Sequence, residues 1–302
     1  MTRRDFATIA AAAVPAARLF AAEPHSIVGG VKLGAITYSF HDLKRTPGQD
    51  AVDECISNLL YAGCQFCELM SSDVEPAGPG RGEAVPAGAS SPREALRKWR
   101  IETPTEHFKA VRKKFNDAGI TIFAYTVNYN AQYSDEEIAN SFRHAKALGT
   151  NIIASSTTVS MAKRIVPYAE KAGMNVAFHG HTNVKDPEQF AAPANFAAAL
   201  AMSPLYRINL DIGHFVAAGF DPVSYIRENH QHITHLHVKD KKKNDGPNMP
   251  WGQGDTPYRE VLLLVKNNRY DIAAMTEMAY PVNVPTREEV KKNMDDMRAI
   301  LS

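Results

Sequence analysis

Four short segments place imidazole and carboxylate groups at the ends of apolar runs. They are Val176-Ala-Phe-His179-Gly-His181, Asn209-Leu-Asp211-Ile-Gly-His214, Thr234-His235-Leu-His237-Val-Lys239-Asp240 and Ala274-Met-Thr-Glu277. His179 to Asp211 is 32 residues, Asp211 to His237 is 26, and His237 to Glu277 is 40. Each interval is about one strand–helix unit. A parallel barrel gathers the C-terminal ends of its strands on one rim, so these groups are expected to meet around a divalent metal ion.

The residues argue for that chemistry one by one. Asp211 ends an apolar strand, where an unpaired buried carboxylate costs on the order of several kcal/mol. It calls for a cation, a basic side chain or water, or else for a role as the cap of the next helix. His235 and His237 lie two apart and share a strand face, so one is expected at the rim and the other deeper. Glu277 is the acidic residue in an otherwise apolar strand and reads as a ligand. Imidazole mixed with carboxylate suits Mn, Co, Zn or Fe(II) better than Mg or Ca. Glu68, at the end of Phe66-Cys67-Glu68-Leu69, is either a functional acid or half of an ion pair. Lys239 is either a donor to a keto or enediolate oxygen or a solvated lysine. Asn128, after Thr126-Val127, is a further rim candidate.

The elements that must hold these groups alternate along the chain. Strand-like runs occur at 32–38, 65–70, 121–127, 151–155, 175–178, 206–211, 233–238 and 272–277. Helical patterns occupy 51–61, 105–118, 135–148, 161–172, 187–201, 222–229, 258–267 and 287–301. Several open on Ser or Asp, or on an early proline, and several end in glycine. The alternation predicts an α/β fold, a single (β/α)8 TIM barrel. A doubly wound sheet usually carries a glycine-rich phosphate loop after its first strand, and Thr37-Tyr-Ser-Phe-His41 is not one. Two long βα loops interrupt the pattern, Ser71–Ser91 and Lys241–Thr256. The first reads as a lid or a surface insertion. The second contains Trp251, which can stack on a sugar face, and is expected to act at the site.

With 302 residues and 44% hydrophobic content the chain can bury a large core as one domain. A formal net charge of +1 supplies no field for nucleic acid. Past the N-terminus, no apolar run reaches the roughly 20 residues of a membrane helix. Residues 1–22 read as an export signal: Arg3-Arg4, then the run Ala7–Ala17, then Ala21-Ala22. The paired arginines point to the twin-arginine route and a periplasmic or otherwise exported enzyme, with the barrel over residues 23–302. Cys55, Cys64 and Cys67 are too few for a disulfide framework and are expected to be buried and structural. The expected partner is a small carbohydrate, and assembly into an oligomer is left open.

The motifs Asp211-x-x-His214, His237-Val-Lys239-Asp240, Gly252-x-Gly254-Asp255 and Glu277 resemble those of the xylose isomerase-like TIM-barrel superfamily, over about residues 30–300. The resemblance implies one divalent metal held by His179, Asp211, His237 and Glu277, with His214 contacting substrate. It departs at the fifth strand, where epimerases of this superfamily carry Glu and this chain has His179-Gly180-His181. Their two opposed glutamates are thereby reduced to Glu277. The second proton carrier is expected among His181, His214, Lys239 and Glu68, with His181, Trp251 and Asn128 touching substrate.

The implied reaction is sugar isomerisation or epimerisation by proton transfer alpha to a carbonyl through an enediolate. A lyase, dehydratase or hydratase acting on a keto sugar or keto glycoside is the runner-up. A non-catalytic sugar-binding barrel is the alternative of another class. An endonuclease of the same superfamily would need a histidine pair in 241–251, which has none.

Overall fold

Eight parallel strands form the frame: Val31–Ile36 (β1), Phe66–Met70 (β2), Thr121–Thr126 (β3), Ile152–Ser155 (β4), Asn175–His179 (β5), Tyr206–Asp211 (β6), Ile233–Val238 (β7) and Ala273–Thr276 (β8). Each pairs with the next in chain order and β8 pairs with β1, so the sheet closes into a (β/α)8 barrel. The structure is a computed structural model that describes residues 26–78 and 91–302. The expected export segment lies outside these residues, as do residues 79–90 of the first long loop.

Both faces of a parallel barrel are buried, and the alternation of side chains assigns each face a task. Along β6, Tyr206, Ile208 and Leu210 join the main apolar core beneath the helices. Asn209 and Asp211, on the other face, point into the barrel, where Asn209 Nδ2 lies 3.0 Å from His237 Nε2 of the neighbouring strand. Ala124, Ala154 and Ala177, with Ile152, form a separate small cluster. Such small side chains leave room inside the barrel for large polar ones.

Seven of the eight expected helices form with ends within about two residues of expectation. The segment 187–201 is corrected. Its helix is Pro193–Leu200, because Asp186 caps only a turn, accepting from Glu188 N at 3.0 Å, and Phe190 O turns back to accept from His181 N at 2.7 Å. An unexpected helix, Pro92–Glu102, begins at Ser91 with a full capping box to Glu94. All three cysteines are free and buried, and burial pushes the Cys64 thiol up to about 12. No helix among the described residues is long and apolar enough to cross a membrane.

Candidate metal centre

His179 closes β5, Asp211 closes β6, His237 lies near the end of β7, and Glu277 follows β8 directly. Strand register does part of the aligning: His237 is paired with Asp211 on one side and Met275 on the other. One ligand atom from each of the four lies within 4.8 Å of all the others. His179 Nε2 is 3.3 Å from Asp211 Oδ2 and 3.5 Å from Glu277 Oε2, and His237 Nδ1 is 2.7 Å from Glu277 Oε2. None of these contacts has hydrogen-bond geometry. His179 Nδ1 and Nε2, Asp211 Oδ2 and His237 Nδ1 are all buried without a partner. Buried polar atoms are nearly always satisfied, so a set of donor-type nitrogens and oxygens facing one another fits a cation.

Asp211 serves two of its expected roles at once. Oδ1 accepts from His214 N at 2.7 Å and caps the helix Ile212–Ala217, while Oδ2 faces the centre. Lys239 is not solvated: it is 2% exposed. Its Nζ donates to Glu277 Oε1 at 2.7 Å and sits 3.1 Å from Asp211 Oδ2 without hydrogen-bond alignment. A Cβ on Gly213 would lie 2.5 Å from Lys239 Cγ, so glycine there is what lets the lysine pass. Burial opposes the Lys239 charge, but Asp211 and Glu277 outweigh it and raise the ammonium above its ordinary range. The same ammonium and the two histidines hold Glu277 well below the usual carboxylate range against the effect of burial.

Beneath the centre, Glu68 Oε2 accepts from His237 Nε2 at 2.6 Å and from His235 Nε2 at 2.9 Å, and Oε1 accepts from Thr126 Oγ1 at 2.5 Å. Both carboxylate oxygens are therefore engaged. Burial alone would raise this carboxyl, yet His237 and His235 hold it well below its usual range. Of the two roles expected of Glu68, its contacts are those of the ion pair: it anchors two histidines. Its bond to His237 Nε2 sets the tautomer, leaving Nδ1 to face the centre. His235 is the deeper of the pair, with its ring edge-on to Phe123.

A cavity of about 380 Å³ opens above these residues. His181, His214, Asn128 and Lys239 line it, as expected, together with Tyr38 and Asn248, which no motif had marked. His181 Nε2 meets the Ser156 hydroxyl, and Asn128 Oδ1 accepts from Ser156 N at 2.9 Å. His214 Nδ1 meets Thr182 Oγ1 at 2.7 Å, and its Nε2 is 4.0 Å from Asp211 Oδ2. Burial and the neighbouring His179 lower His181 to about 4, and burial with the Lys239 ammonium lowers His214 to about 3. Both rings are neutral at neutral pH. Trp251 is corrected: it does not line the cavity but is buried against Tyr258, ring centroids 4.8 Å apart. Its loop folds around the Asp240 carboxylate, which accepts from Gly252 N and Gly254 N, and the indole packs on Tyr258.

The family model described as xylose isomerase-like TIM barrel matches residues 89–300, and the chain belongs to that family. No curated protein matches the sequence. Among solved structures, the chain is similar to the probable 3-DHS dehydratase AsbF of Bacillus anthracis, with 15% identity and TM-score 0.62 over 86% of this chain and 96% of that one. It is also similar to a sugar phosphate isomerase/epimerase from Parabacteroides distasonis, with 15% identity and TM-score 0.60 over 89% and 95%. A third likeness is to an IolI protein with a bound zinc atom, with 13% identity and TM-score 0.62 over 89% and 99%. At such identities these likenesses concern the fold.

Proposed function

We propose that this barrel is a divalent-metal-dependent sugar isomerase or epimerase that moves a proton alpha to a carbonyl. The observation that carries the reading is the convergence of unpartnered His179 Nε2, Asp211 Oδ2 and His237 Nδ1 on the Glu277 carboxylate. A divalent ion held by these four residues would act as a Lewis acid on a bound carbonyl and acidify the adjacent C–H.

The chain's own groups supply the rest. Lys239 stays an ammonium, so it cannot be the base; its contacts leave donor capacity for a substrate oxygen in the cavity. His214 is neutral, is oriented through Nδ1 by Thr182, and turns Nε2 toward the centre, as a proton acceptor requires. His181 is neutral on the same wall, and its bond to Ser156 holds the ring in place. Either a neutral imidazole or the ionised Glu277 would take the alpha proton. The group that has gained it can return it to the neighbouring carbon, which is isomerisation, whereas return on the opposite face, which is epimerisation, would need the other group to have entered the cycle protonated.

A lyase reading shares this first step. It is favoured by the replacement of a carboxylate by imidazoles, since a ring that has gained a proton can pass it to a leaving oxygen.

Metal content per chain, in protein purified without chelator, tests the centre. About one ion in the wild type and none in Asp211→Ala supports it; wild type that binds none when supplied sinks it. Keto sugars incubated in D2O then divide the two readings. Deuterium at an alpha carbon of an otherwise intact sugar marks isomerisation or epimerisation, and release of a leaving group marks a lyase. Export is proposed from Arg3-Arg4 and the following Ala-rich run alone. Protein recovered from the periplasm with an N-terminus near Glu23 supports it, and uncleaved cytoplasmic protein overturns it.

A further inference from the structure

His235, His237 and Lys239 lie two residues apart at and just past the end of β7, so their side chains share a face. The two histidines rest on Glu68. An anion behind an imidazole raises its basicity and strengthens it as a ligand. Lys239 meets the other two members of the centre with the opposite sign. Its Nζ donates to Glu277 Oε1 at 2.7 Å and lies 3.1 Å from Asp211 Oδ2, so both carboxylates of the centre already face an ammonium.

Neither carboxylate depends on the lysine for its position. Asp211 Oδ1 accepts from His214 N at 2.7 Å. Glu277 N donates to Val238 O at 3.1 Å, which ties the residue to β7, and Glu277 Oε2 faces His237 Nδ1 at 2.7 Å. What the lysine adds is charge. The buried carboxylates of Glu68, Asp211 and Glu277 gather around the Lys239 ammonium and His237, and a divalent ion would balance what the ammonium leaves over. Like charges repel more strongly in a buried site than in water. An ammonium on both carboxylates therefore offsets part of their attraction for a cation. In the metal-free protein it also keeps two buried anions from lying uncompensated, which is costly.

We propose that Lys239 is a built-in counter-charge that sets how firmly the centre holds its ion: it loosens the ion and keeps the ion-free site folded. This rests on the metal centre of the function proposed above and names what regulates its occupancy. Removing a group that contacts metal ligands ordinarily weakens the metal about 10- to 100-fold. Removing the Lys239 charge has the opposite sign, because Asp211 and Glu277 are held in place by other bonds and lose only a competitor for the ion.

The test compares wild type with Lys239→Met and Lys239→Gln by chelator competition for manganese. Methionine keeps the bulk that passes Gly213, and glutamine keeps a donor for Glu277; both remove the charge. Each protein is purified with manganese present, so the comparison does not require the metal-free variants to fold. Both variants should hold manganese at least about tenfold more tightly than wild type. Without metal, both should unfold at lower urea concentration than wild type, or not fold at all. Equal or weaker manganese binding in either variant overturns the proposal and makes Lys239 an orienting group for Glu277. Metal-free variants as stable as wild type overturn it too, since the carboxylates would then need no counter-charge. Wild type that binds no manganese when supplied brings down the proposed function itself, whereas variants that bind no better than a manganese-binding wild type bring down only this inference.

Discussion

Two clusters of ligand-type side chains share His237 inside the barrel, and they differ in one respect. Glu68, His235 and His237 form the lower cluster, and His179, Asp211, His237 and Glu277 form the upper one. In the lower cluster the Glu68 carboxylate is satisfied by two ring N–H groups and the Thr126 hydroxyl. In the upper one, ring nitrogens and a carboxylate oxygen are buried without hydrogen-bond partners. Both are built of the same residue types on strands of the same sheet. What marks the upper cluster as a site is unmet bonding capacity rather than composition: buried polar atoms are nearly always satisfied, and here four unpartnered ones are gathered in one place.

The sharpest break in this contrast is Asp211→Ala. It should reduce metal affinity by more than about 100-fold, read as metal content after dialysis, since it removes an oxygen of the upper cluster and leaves the lower one whole. Retention of wild-type metal would mean that the upper cluster is merely a strained ion-pair network.

Glu68→Gln attacks the lower cluster instead. Breaking a buried charged network costs about 3–5 kcal/mol, so urea unfolding should shift strongly. Loss of the anchor on His237 should also weaken the metal about 10- to 100-fold. Unchanged stability would show that Glu68 is not the anchor.

A smaller effect comes from pH. In the metal-free protein burial lowers His237, but Glu68 and Glu277 outweigh it and push the ring up to about 10. A raised value stabilises the fold fully below the ordinary value of 6.5, and that contribution is lost as the pH rises toward about 10. A metal must displace this proton, so metal affinity should climb by up to about tenfold per pH unit between roughly pH 7 and 9. A flat profile over that range would count against His237 as a ligand. The smallest effect is expected outside both clusters: Trp251→Phe should change sugar affinity by less than about twofold, because the indole packs on Tyr258 away from the cavity.

Much of the frame was legible in the residue pattern. Apolar runs bounded by glycine and capping residues marked all eight strands, and β6 was read with its observed limits, Tyr206–Asp211. The helix Pro92–Glu102 was missed although Ser91-Pro92-Arg93-Glu94 carries a capping-box signature. The preceding Pro, Gly and Ala residues dominated that window and masked the start signal. The glycines of Gly252-x-Gly254-Asp255 were visible as a motif but not as a cradle. Their role depends on Asp240 lying under the loop, a placement that no local propensity encodes. Nothing in the sequence distinguishes Asn248 from any other loop asparagine.

The order of strands and the residue at the end of each are properties of the sequence, and they were enough to bring His179, Asp211, His237 and Glu277 to one rim. Which of those atoms stay unpartnered was decided only by the closed barrel. Glu68 reaches His235 and His237 across separations of 167 and 169 residues, so the tautomer of His237 and the satisfaction of the lower cluster arise where distant strands meet. Hydrogen-bond satisfaction depends on which atoms face each other at about 3 Å, and that is a property of packing rather than of pattern.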